Sequence, residues 1–224
     1  MVRIAMRGAG GTQRALAAVV LFIPLTSDRG WQVLTYRNIP PHVAQFREEG
    51  LRINVKRSAS PIIYPLPTSV RVRRLRVRGR IEGVLSVDAG VQGQRGFDDY
   101  ALRLGLVEEG SRRLGVLERR FAPEWVRRLF SLARSGSGIS QVRFFNLGVA
   151  SEQIGQARSH PLSALLHEQV VAVPSADGRF DFSVSFEAPI PTVAVWISAD
   201  GDDTKSVYVI TLQAIELEST EAAE

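Results

Sequence analysis

An all-β fold, an antiparallel jelly-roll β-sandwich with one short helix over about residues 122–134, is what the 224-residue sequence predicts. Three observations carry it. Apolar side chains recur at every second position along most of the chain, as strands with one buried face require. Turns rich in Gly and Pro separate these runs, two of them well apart and glycine-rich. Only one stretch has helical spacing, and nothing shows the strand–helix alternation of a parallel sheet.

The first element is an export signal by composition. Met1 to Arg14 carries Arg3, Arg7 and Arg14 without an acid, and Ala15 to Leu25 is continuously apolar. That run suits the hydrophobic part of a signal peptide and is too short to span a bilayer, although L-T-S ending at Ser27 is a poor A-x-A cleavage site. The expected organisation is a signal peptide over 1–27, one sandwich domain over 28–218 and a frayed tail over 219–224, in a periplasmic or secreted protein with no transmembrane span. A chain of this length buries enough core for one such domain.

Strands follow at W-Q-V-L-T-Y (Trp31 to Tyr36), L-R-I-N-V-K-R (Leu51 to Arg57) and V-R-V-R-R-L-R-V-R-G-R-I (Val70 to Ile81). In the last, Val70 and Val72 share one parity while Leu75, Val77 and Ile81 take the other. One extra residue near Arg73 and Arg74 predicts a bulge or sheet corner. Beyond it Arg74, Arg76, Arg78 and Arg80 line one face at about 6.6 Å intervals. This is either a cationic track for phosphate, uronate or sulfate, or a solvated face paired with neighbouring Asp and Glu; the second is preferred, because surface ion pairs are common.

D-D-Y-A-L-R-L-G-L-V-E-E (Asp98 to Glu109) reads as the next strand, with R-R-L-G-V-L-E-R-R continuing as its neighbour. The helix is F-A-P-E-W-V-R-R-L-F-S-L-A-R, with Pro and Glu in its first turn and Trp125, Val126, Leu129 and Phe130 at helical spacing; it is expected to cover one sheet end. The remainder reads as strands V-R-F-F-N-L-G, E-Q-V-V-A-V, F-D-F-S-V-S-F, T-V-A-V-W-I-S-A and V-Y-V-I-T-L-Q-A-I-E-L.

Composition removes several chemistries. With no cysteine, disulfides, thiolate nucleophiles and Cys-ligated zinc are excluded. H-E-Q-V-V at His167 lacks the second histidine of a zinc protease, and no G-x-S-x-G elbow occurs. The pI near 10.2 reflects an almost pure arginine usage, the lysines being Lys56 and Lys205 alone. No stacking aromatics interleave with the basic run, so nucleic acid is not the expected partner. No catalytic residue is assigned.

The carboxylates gather in two places, at Asp98 and Asp99 and in the turn A-D-G-D-D-T-K-S from Ala199 to Ser206. Asp and Gly turn the chain there. The same turn offers hard oxygens at Asp200, Asp202, Asp203 and Thr204, a candidate calcium set that Asp98 and Asp99 would complete. Trp196 shares a strand face with Asp200 by parity, the arrangement of sugar stacking beside a carboxylate hydrogen bond, or of a buried core tryptophan. The candidate ligand-binding set is Asp98, Asp99, Tyr100, Arg103, Trp196 and Asp200.

The pieces G-W-Q-V-L-T-Y-R-N-I-P, R-S-A-S, G-F-D-D-Y-A-L-R and D-G-D-D-T occur in this order between Trp31 and Leu217. In this the chain resembles an exported proteobacterial domain-of-unknown-function family whose fold is similar to jelly-roll carbohydrate-binding modules. The resemblance implies a shared acidic cluster at Asp98, Asp99, Asp200, Asp202 and Thr204. Two departures stand out: Asp203 replaces the usual Asn, and L-R-V-R-G-R-I replaces a tryptophan-rich strand. The expected function is an exported, non-catalytic module binding carbohydrate or an anionic envelope polymer, with calcium as the candidate ion. The alternatives are a polysaccharide hydrolase or lyase using the acidic cluster, and a structural envelope protein assembling through sheet edges.

Overall fold

The computed structural model describes residues 16–161 and 163–222. The described residues form eleven strands: β1 (Leu16–Phe22), β2 (Gln32–Val33), β3 (Val43–Arg47), β4 (Gly50–Lys56), β5 (Ile62–Val84), β6 (Arg103–Gly110), β7 (Gly138–Leu147), β8 (Ala157–Ser159), β9 (Leu166–Ala172), β10 (Arg179–Ser198) and β11 (Val207–Ala222). The hydrogen-bonded order is β3-β4-β11-β5-β10-β6-β7-β9-β8, with β1 added to β11 and β2 to β5. All pairs are antiparallel except β7 with β9.

β5 has 23 residues and β10 has 20. Straight strands of that length would run about 65–75 Å, longer than the roughly 45 Å diameter expected of a compact chain this size. They therefore bend. The register of β5 with β10 shifts between Ser185 and Ile190, opposite Arg74 and Val72, and that of β11 with β5 shifts between Glu218 and Ser219 at the same place. This is the irregularity that the parity change at Arg73 and Arg74 predicted. Val72, Leu75 and Val77 are consequently all buried, while Arg74, Arg76, Arg78 and Arg80 are exposed.

Bending lets the inner faces of the two halves of the sheet share one core. Leu51, Ile53, Leu75, Val77, Ile210 and Leu212 on one side form a single buried cluster with Leu104, Leu106, Phe145, Leu147, Val195 and Ile197 on the other. A second cluster lies on the outside of β6, β7 and β10, where Val107, Phe144 and Trp196 pack beneath the helical segment. β10 is thus buried on both faces near its end, which explains the unbroken apolar run V-A-V-W-I.

Three local expectations are corrected. The segment after β6 is helical instead of a neighbouring strand: α1 (Val116–Phe121) precedes α2 (Glu124–Ser131), giving two short helices where one was expected. β6 already has β10 on one edge and β7 on the other, so no edge was free for another strand. The Glu118 carboxylate accepts from Gly115 N at 2.8 Å and stabilises the first turn of α1. F-D-F-S-V-S-F and T-V-A-V-W-I-S-A form one continuous β10, its Glu187–Pro189 stretch falling in the register shift where ladder bonds are interrupted anyway. Of the expected Trp31 to Tyr36 strand, only β2 pairs.

Of the expected signal peptide, residues 1–15 lie outside the described residues. Leu16–Phe22 is β1, paired with Glu216 to Ala222. Ile23 and Leu25 are in the main core, and Pro24 O accepts from Trp31 Nε1 at 2.7 Å. Among the described residues no helix is long and apolar enough to cross a membrane.

Candidate functional site

Arg103 begins β6, Trp196 and Ser198 close β10, and both strands end beside the two acidic segments. The carboxylates after Phe97 and those after Ala199 meet there. Asp99 accepts from Thr204 N at 2.7 Å and from Thr204 Oγ1 at 2.6 Å, while Asp203 Oδ2 accepts from Asp98 N at 3.2 Å. Asp200 N donates to Tyr100 O at 3.0 Å, tying the turn to the segment that leads into β6.

Arg103 organises the cluster. Its Nε donates to Glu168 Oε1 at 2.8 Å, its Nη2 to Asp98 O at 2.8 Å and Asp98 Oδ1 at 2.9 Å, and its Nη1 pairs with Asp200 Oδ2. Its carbon lies 4.7 Å over the Tyr100 ring. Arg158 backs it up, with Nε on Glu168 Oε2 at 2.7 Å and Nη2 on Asp98. His160 Nε2 is 3.0 Å from Asp98 Oδ2, and Ser198 Oγ donates to Asp200 Oδ1 at 2.6 Å. Burial works to raise the Asp98 carboxyl, but the His160 hydrogen bond and the two guanidiniums outweigh it and hold it at about 2. Glu168 is likewise buried yet held below its usual value by Arg103 and Arg158.

This network floors a cleft of about 420 Å3. Trp125 from α2, Phe144 and Trp196 contribute to its apolar lining, and Asp98, Asp99, Asp200, Asp202 and Asp203 line it with Arg103 and His160. The wall is possible because of Gly105, which sits in register between Trp196 and Phe144. A Cβ there would come within 2.7 Å of the Phe144 ring. Without one, Phe144 and Trp196 meet edge-on at 5.8 Å, and Trp125 meets Trp196 at 6.1 Å, also edge-on. Trp196 is buried, and among the described residues its Nε1–H has no hydrogen-bond partner. Asp202 is the one carboxyl raised here, first by burial and then by the charges of Asp99 and Asp203.

Five of the six expected ligand-binding residues therefore line one cleft. Tyr100 does not; it is buried beneath Arg103 as a platform. The expected calcium set is spread over other tasks. Both oxygens of Asp200 accept from Arg103 and Ser198, and the Thr204 hydroxyl lies between Asp99 and Ser206 at 2.6 Å from each. A guanidinium against Asp200 already supplies a cation at that carboxylate. Asp98, His160 and Glu168 also approach within ligating distance of one another, but the guanidiniums of Arg103 and Arg158 already neutralise both carboxylates.

The sequence did not point to Arg158, Glu168, His160 or Trp125. Arg158 faces Glu168 across the β8–β9 pair, and that short hairpin follows the parallel connection from β7. Nothing in spacing signals such a crossover. Trp125 had a signal, its place on the apolar face of the helix, but not its destination.

No protein-family model and no curated protein matches the sequence, so the likeness to an exported family of unknown function rests on its short motifs. Among solved structures, the chain is similar to "Carbohydrate binding module family29", at 8% identity over 91% of this chain and 90% of that one, with a TM-score of 0.40. A xylan-binding module, CBM15, gives 10% identity over 92% of this chain and 100% of that one, with a TM-score of 0.39. The Crh5 transglycosylase in complex with NAG gives 10% identity, 94% and 88% coverage and a TM-score of 0.36. Likenesses this distant carry no argument about what the present chain binds.

Proposed function

We propose that the chain is a non-catalytic module that binds a neutral saccharide in the cleft between α2 and the ends of β6 and β10. The observation that carries this reading is a cleft that joins the partly exposed Trp125 ring to a rim of carboxylates. A saccharide presents an apolar C–H face beside hydroxyls that both donate and accept. Trp125, backed by the buried rings of Phe144 and Trp196, suits the first, and Asp202 and Asp203 suit the second. The volume falls within the range of small-ligand sites. Asp98, Asp200 and Glu168 are already neutralised and pinned, so the polar groups are preorganised and need not be ordered by the ligand. The carboxylates left over, Asp202 and Asp203, repel uronates and sulfates, which favours neutral glycans over an anionic polymer.

A glycan array and titration calorimetry, run with calcium and with chelator, test this. The parent protein should retain a neutral glycan, and Trp125→Ala, which deletes the partly exposed ring, should weaken binding about tenfold. Retention of no glycan under either condition sinks the reading, and binding that requires calcium would restore the ion. A second reading rests on the contrast between Asp202, raised, and Asp98, held at about 2. In a glycoside hydrolase, Asp202 would donate a proton to the glycosidic oxygen. New reducing ends that vanish in Asp202→Asn would establish it.

Export belongs to the proposal and is supported by the arginines before the apolar run. Sequencing the N-terminus of protein recovered outside the cytoplasm checks it. A cut after Ser27 would remove β1, Ile23 and Leu25, so a mature form beginning at Asp28 should be markedly less stable than one retaining them.

A further inference from the structure

We propose that the segment between β6 and β7 docks the protein onto an anionic lipid surface, inserting the apolar tip of α1. Val116, Leu117 and Phe121 are 89%, 74% and 77% exposed, more than any other large hydrophobic side chain among the described residues. At 100° per residue they fall within an arc of about 140°, one side of the short helix. α1 buries none of its residues. The base of the excursion is held firmly by comparison: Leu129 of α2 is fully buried, Ile139 N donates to Arg112 O at 2.9 Å, and Arg113 Nε donates to Ser137 O at 3.0 Å. The apolar tip is therefore presented on an anchored stem.

Charge identifies the occupant. Residues 111–134 carry seven arginines (112, 113, 119, 120, 127, 128 and 134) and two glutamates, a formal +5 that equals the net charge of the whole chain. Among the described residues none of these seven forms an ion pair with a carboxylate. Elsewhere seven of the sixteen described arginines do: Arg52, Arg74, Arg76, Arg103, Arg143, Arg158 and Arg179. Unpaired cations around exposed aliphatic and aromatic side chains match a bilayer interface, where headgroups take the guanidiniums and the acyl boundary takes the tip. A soluble polyanion would satisfy the arginines but leave Val116, Leu117 and Phe121 in water. A second copy of the chain would bring seven unpaired arginines against seven. Because Trp125 of α2 lines the cleft, docking would set the cleft beside the membrane surface.

Flotation of the full chain with phosphatidylcholine vesicles, with and without phosphatidylglycerol, tests this. Binding is expected only with phosphatidylglycerol and should weaken as salt is raised. Val116→Ser, Leu117→Ser and Phe121→Ser together should reduce partitioning at least about tenfold with an unchanged melting temperature, since the parent side chains bury nothing. Arg119→Gln with Arg120→Gln should reduce it by a smaller factor. The proposal fails if phosphatidylglycerol vesicles do not retain the protein, or if the triple serine variant binds them as the parent does. It also fails if the triple variant instead abolishes a concentration-dependent dimer.

Discussion

Arg103 and Arg76 are both strand arginines that meet carboxylates, and burial separates what they contribute. Arg76 grips Asp181 with two hydrogen bonds, of 3.1 and 2.8 Å, on a face where both side chains are nearly half exposed. Water and salt screen such a pair, which therefore contributes little. The Arg103 side chain is 7% exposed and faces Asp98, Glu168 and Asp200 at once. Its Glu168 partner is 2% exposed. There a missing partner strands a charge out of water, at about 3–5 kcal/mol. The arginine ladder, the loudest pattern in the sequence, is a solvated wall partly tied to β10 and β11. The solitary Arg103 sets the shape of the cleft.

Replacing Arg103 by Met should therefore have the largest effect. Glu168 and Asp200 lose their guanidinium in a buried setting, and the melting temperature should fall on the order of 10 °C. Adding Glu168→Gln and Asp200→Asn should recover part of the loss, because it is the uncompensated charge that destabilises. An Arg103→Met protein as stable as its parent would erase the distinction between the two arginines.

Acid should divide the two regions next. Asp98 is held at about 2, below the 3.8 of an ordinary aspartate. Its contribution, about 2 kcal/mol, is complete above pH 4 and is lost as pH falls toward 2. Glu168 is lowered too and adds to the same limb. Buried His42 acts earlier: burial lowers it from 6.5 to about 4 in the folded state, so unfolding takes up a proton and stability declines as pH falls from 6.5 toward 4. Denaturant midpoints measured from pH 7 to pH 2 should show both limbs. His42→Leu should remove the upper limb and Asp98→Asn flatten the lower. Asp181, also lowered by its arginine, is screened at the surface and should leave no limb of its own.

Why one arginine is legible and the other is not follows from sequence distance. The ladder repeats every second residue within one strand, and its parity change near Arg73 correctly placed the bend in β5. The meeting of Asp98 and Asp99 with the 200–204 turn was also legible, because both segments bound strands with unambiguous alternation. The node itself was hidden: Glu168 is 65 residues from Arg103, across the parallel β7–β9 pair. The stretch 112–120 reads as a strand by itself for a related reason. Its L-G-V-L core is too short to distinguish two periods, and only knowledge that both edges of β6 were taken decides between them.

The smallest effect is the one most dependent on the comparison being right. Arg76→Gln removes a well-formed pair, yet should leave the denaturant midpoint almost unchanged. Even that change should shrink at high ionic strength, where the Debye length falls to about 3 Å at 1 M salt. Asp181→Asn should give the same result, and the double variant should sum the two within error apart from the small pair energy, as a double-mutant cycle measures. Glycan binding should be unaffected by all three, since neither residue lines the cleft. If instead Arg76→Gln abolished binding of a sulfated or uronate glycan, the ladder would be a recognition surface after all. Ligand selection would then lie on β5, where the side chains are exposed, and not at the cleft that Arg103 holds open.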